Sequence, residues 1–80
     1  MAHDLATINK ILAKIVELYG DEPFPILDEI EALEADGFTS GDISFANASL
    51  VSGNYSRLAF APWGCMRVID PEPIVVTTAS

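Results

Sequence analysis

The chain has 80 residues and a formal net charge of −8, from 12 Asp and Glu against 4 Lys and Arg. A chain of this length makes one domain, and its acidity repels phosphate backbones, which argues against direct nucleic-acid binding. One cysteine and one histidine exclude an internal disulfide and supply too few ligands for a Cys/His zinc site.

The opening Met1-Ala2-His3-Asp4 has no basic n-region followed by an apolar h-region, and no apolar run nears the roughly 20 residues that cross a bilayer. With a lone thiol, the expectation is a cytoplasmic protein. A core this small supplies about 3–5 kcal/mol without a staple. Oligomerisation or a partner is the staple that remains. The charge is also lopsided. Residues 1–42 hold ten acids against Lys10 and Lys14, whereas 43–80 balance Asp70 and Glu72 against Arg57 and Arg67. The acidic half either keeps the chain soluble or attracts a basic partner surface.

Asp4 is a good N-cap. After it, Leu5, Ile8, Leu12, Ile15 and Tyr19 recur at helical steps, widened by Ile11, Val16 and Leu18. The spacing predicts a helix over 5–19, ended by Gly20 at C′. Residues 21–25 form a connector held extended by Pro23 and Pro25, with Phe24 as a core plug. A second helix starts with Pro25 as its first residue. Ile26, Ile30 and Leu33 mark its apolar side, and Asp28, Glu29, Glu31, Glu34 and Asp36 cover the rest. Gly37 followed by Phe38 reads as a Schellman ending. Acids near that end oppose the helix dipole, which suits a surface kept negative for a cationic partner.

The second half reads as a sheet. Pro62-Trp63-Gly64 forms a three-residue hairpin connection. It sets Ala61 opposite Cys65, Phe60 opposite Met66, Ala59 opposite Arg67, Leu58 opposite Val68 and Arg57 opposite Ile69. Side chains alternate across a strand, so Leu58, Phe60, Met66 and Val68 share an apolar face. Arg57, Ala59, Ala61, Cys65, Arg67 and Ile69 share a small one. Gly53-Asn54 reads as a second hairpin loop, which makes 43–52 a first strand and adds Phe45 and Val51 to the apolar face. Poor alternation there leaves a short third helix, capped by Ser40, as the alternative. Asp70-Pro71-Glu72-Pro73 ends the last strand, and 74–78 has the β character of a fourth. The expected fold is α+β: two N-terminal helices (helical half 4–37) on one face of a three-stranded antiparallel meander, extended to four strands if 74–78 pairs (sheet half 43–78).

No catalytic constellation, Gly-rich phosphate loop or metal-ligand spacing is visible, so no catalytic residue, metal or cofactor is expected. His3 and Cys65 form no motif, and Cys65 is a small buried hydrophobe by type. The expected contact residues are Tyr55, Arg57, Trp63 and Arg67 around an alanine-paved sheet face, since Tyr, Trp and Arg dominate interface hot spots. Glu29, Glu31 and Glu34 are expected on an acidic helix face. These features suit a non-enzymatic protein-interaction module, an inhibitor or adaptor of the kind used, by analogy, by phages and mobile elements. The alternative is a homo-oligomer that clamps an anionic small molecule such as a nucleotide with Arg57 and Arg67.

Overall fold

A computed structural model describes residues 4–52 and 55–75. The elements are α1 (Leu5–Tyr19), β1 (Phe24–Pro25), α2 (Ile26–Ala35), α3 (Ser40–Val51), β2 (Leu58–Ala61) and β3 (Cys65–Val68). The α+β class holds. The sheet has three antiparallel strands in the order β1-β3-β2.

The first helix forms where its period predicts. Asp4 caps it by accepting from the Thr7 amide at 2.9 Å. Ile8, Ile11, Leu12 and Ile15 are buried on its inner face, which lies mainly against α3. At the far end Gly20 takes φ 60° and donates to Val16 at 2.9 Å. Tyr19 then stacks on Phe24, with ring centroids 4.6 Å apart. Phe24 is wholly buried, and the two prolines beside it keep its backbone extended. That conformation lets Phe24 and Pro25 pair with Met66 and Cys65 as β1. Pro25 is therefore the N-cap of α2, not its first residue. The Schellman ending is present: Gly37 at φ 105° donates to Glu34 at 3.0 Å, and Phe38 donates to Leu33 at 3.1 Å.

Residues 40–51 are a helix, so the expected strand over 43–52 is not formed. Thr39, rather than Ser40, caps it by accepting from the Asp42 amide at 3.0 Å. Ile43, Ala46 and Leu50 are its buried positions, at helical steps of 3 and 4. A strand would bury alternate residues instead, and this segment has no such alternation. The proposed Gly53-Asn54 loop lies outside the described residues. With a helix in place of the strand expected next to β2, the sheet is not a meander. The short connector strand β1 takes the free edge of β3 instead.

The hairpin itself pairs as the turn predicts: Leu58 with Val68, Ala59 with Arg67, Phe60 with Met66 and Ala61 with Cys65. The register continues, with the Ile69 amide donating to the Arg57 carbonyl at 2.9 Å. Leu58, Met66 and Val68 join Phe24 and the helical residues in one core. Beyond β3, Ile74 and Val75 form no strand, and 76–78 lie outside the described residues. Ile74 is nevertheless buried. Asn9 holds it from α1, donating to its carbonyl at 2.9 Å and accepting from its amide at 2.8 Å. Among the described residues no helix is long and apolar enough to cross a membrane.

Candidate functional site

The sheet face with the two arginines is less available than its sequence suggests. Arg57 turns back on its own chain. Its guanidinium donates to the carbonyls of Tyr55, of Glu72 at 2.7 Å and of Pro73 at 3.2 Å, and it lies 3.7 Å from Asp70. With those donors engaged, Arg57 is a clasp for the segment after β3. Tyr55 is half-buried against the core. Arg67 stays exposed beside a hollow of about 440 Å³, lined also by Val16, Asp21 and Ile69. Asp21 lines the same hollow as Arg67, while the Arg57 guanidinium is engaged by its own chain.

The acidic array on the second helix also differs. Glu31 and Glu34 are exposed, but Glu29 is wholly buried, so it is not a contact residue of the folded surface. α2 sets Glu29 and Leu33, one turn apart, toward the core, and turns Ile26 and Ile30 partly outward. α3 supplies the reason: Asn47 donates to Glu29 Oε1 at 2.7 Å. The other carboxylate oxygen, Oε2, and Asn47 Oδ1 are buried without a hydrogen-bond partner among the described residues. Burial pushes the Glu29 carboxyl above its usual range, and the Asn47 hydrogen bond only partly opposes this. Burial also raises the Tyr19 phenol, with Asp28 and Glu29 adding to the effect.

The rotation of α2 opens an apolar groove of about 310 Å³ between α2, α3 and the hairpin. Ile26 and Ile30 form one wall. Ser44, Asn47, Ala48 and Val51 form the other, at the i, i+3, i+4, i+7 spacing of one helix face. Met66 and Phe60 close its base. Phe60 is the telling residue. It sits opposite buried Met66, on the core-facing side of β2, yet 71% of it is exposed. Its expected place in the core is thus not taken up: Ile26 and Ile30 of α2 and Ala48 and Val51 of α3 line a groove beside the ring rather than cover it.

Two more exposed apolar side chains stand at the same end. Ile26 N–H donates to the Gly64 carbonyl at 3.2 Å, which ties the hairpin tip to the start of α2. Leu27 follows with 75% exposure, and Trp63 at the tip is 96% exposed. Trp63 has φ 68°, a left-handed conformation that costs a side-chain-bearing residue about 1–2 kcal/mol. The sequence points to Trp63 as surface, and to Ala48 only as part of an alanine-paved sheet face, but its apolar patterns put Ile30, Val51 and Phe60 toward the core. The Ser44, Asn47, Ala48 and Val51 stripe is a signal only in a helix, since a strand would split those residues between two faces.

Among the described residues no three His, Cys, Asp or Glu side chains converge on a common metal position. Cys65 is half-buried on the central strand β3, between Pro25 and Ala61. No protein-family model, curated protein or solved structure matches this chain.

Proposed function

We propose that the chain is a non-enzymatic protein-interaction module, an inhibitor or adaptor, and that it meets its partner with the groove face. The observation that carries this reading is the exposure of Phe60 on the side of β2 that elsewhere packs the core. Apolar area left in water forgoes about 25 cal/mol per Å², and a partner that covers the ring recovers it. Trp63 supports the same end of the molecule. It is an aromatic held in a costly conformation, with almost all its surface left uncovered by the described residues. Strained, exposed aromatics of this kind are found at contact sites.

The test is site-specific crosslinking. A photoreactive phenylalanine analogue replaces Phe60 in one variant and Ala13, exposed on α1, in another. Both are exposed to lysate of the native host. The reading predicts a discrete protein adduct through position 60 and none through position 13. No adduct at position 60, or equal adducts at both positions, overturns it.

A further inference from the structure

We infer that the groove seats one basic, amphipathic helix of a partner protein. This rests on the interaction-module reading and adds the chemistry of the occupant.

The walls have the periodicity of a helix site. The stripe from Ser44 to Val51 runs about 10 Å, at 1.5 Å per residue, or two helical turns. Ile26 and Ile30 face it one turn apart. Ser44 and Ala48 are small, so the ridge of an incoming helix can settle between them. A helix brings its own backbone hydrogen bonds, and its apolar side chains recur at i, i+3 and i+4, the same repeat as these walls. An extended strand needs unpaired backbone groups along the site. The two helical walls offer none, since the amides and carbonyls in the middle of a helix are bonded within it, and of the strands at the base only β2, which carries Phe60, is an edge strand.

The rim sets the charge of the occupant. The helical step of 100° per residue places Leu27, Glu31 and Glu34 just beyond Ile30, and all three are exposed. Among the described residues no Lys or Arg lines the groove. Lys14 pairs with Glu17 at 3.2 Å and lies 3.7 Å from Asp36, while Arg57 holds the segment after β3. An apolar trough with an acidic edge favours an apolar stripe flanked by Lys and Arg, and rejects an acidic one. A second copy of this chain is the wrong occupant on the same ground. Each copy carries −8 and presents the same acidic edge.

The experiment selects binders from a display library of helix-forming peptides of about 18 residues, long enough to be partly helical alone, on the immobilised full chain. The expected winners carry apolar residues at i, i+3 or i+4 and i+7, flanked by Lys or Arg, and they weaken as salt is added. Ala48→Arg places a long cation on an exposed helical position, where the fold tolerates it. It should cut affinity by at least about tenfold through clash and like charge. Reversing Glu31 and Glu34 to lysine together should weaken the same peptides by about three- to tenfold.

Winners that are acidic or uncharged overturn the inference. So does binding that ignores Ala48→Arg, a library that enriches nothing, or a dimer in light scattering that Ala48→Arg abolishes. The two levels fail differently. A partner crosslinked through position 60 whose bound segment is extended or acidic removes the helix inference and leaves the interaction module standing. A silent position 60 removes the module itself.

Discussion

The two sides of this molecule use their side chains differently. On the side where the chain passes β3, polar groups are committed to the chain's own backbone. Asn9 meets both the amide and the carbonyl of Ile74, and Arg57 reaches the carbonyls of Tyr55, Glu72 and Pro73. On the groove side, three large apolar side chains stay mostly in water, Phe60, Leu27 and Trp63, against Ile69 and Val75 on the clasp side. On the inner side of α2, Glu29 Oε2 is buried without a hydrogen-bond partner among the described residues. The contrast separates residues that hold a small fold together from residues left over for contact. A guanidinium that looks available in the sequence belongs to the first group. A phenylalanine that looks like core belongs to the second.

Substitutions on the clasp side should therefore move stability, and those on the groove side should not. Asn9→Ala has the largest expected effect. It removes two part-buried hydrogen bonds and frees Ile74, and should cost about 2–3 kcal/mol in urea unfolding. Arg57→Ala follows at about 1–2 kcal/mol, because its acceptors lie nearer solvent. If the anion-clamp alternative were right, the same variant would lose thermal stabilisation by nucleotides, and the wild type would show that stabilisation. The present account expects no such shift in either protein.

Glu29→Gln should stabilise the fold by about 1 kcal/mol at neutral pH, since it removes a charge held without full pairing. The sign follows from linkage. The folded chain raises the Glu29 carboxyl above its ordinary 4.5, so the folded state binds that proton more tightly. Wild-type stability then falls as pH rises from the unfolded value through the folded one. The advantage of the glutamine variant should vanish below about pH 4, reach its full size above the folded value and stay flat beyond it. An advantage independent of pH would mean that Glu29 is not the titrating group. Phe60→Ser has the smallest expected effect on folding, within about 0.5 kcal/mol, as for an exposed site. A loss of several kcal/mol would return Phe60 to the core and erase the contrast.

Much of the architecture is legible in the residues themselves. The Asp4 cap, the five-residue apolar period and Gly20 specify α1 locally. The Pro62-Trp63-Gly64 turn specifies the hairpin register, because a one-residue slip would exchange its two faces. The third helix is less legible. Its sequence, Ser40 to Val51, mixes Ser, Ala and Asn with β-branched and aromatic residues, and its helical apolar period is short. The rotation of α2 is illegible without the fold. Ile26, Ile30 and Leu33 make the more apolar side, yet Glu29 turns inward because Asn47, eighteen residues away, receives it. The same turn creates the groove, so the candidate site was hidden for the reason that Glu29 was misplaced. Arg57 misled for a similar reason: its acceptors are backbone carbonyls, which no sequence pattern announces.

The most direct measurement is amide shift mapping on the isotope-labelled chain as the crosslinked partner, or the tightest selected peptide, is titrated in. The account predicts the largest changes at Ile30, Ala48, Val51 and Phe60, with little change at Ala59, Arg67 and Ile69. The reverse pattern, centred on Arg67 and Ile69, would contradict it and restore the alanine-paved face as the surface that meets a partner.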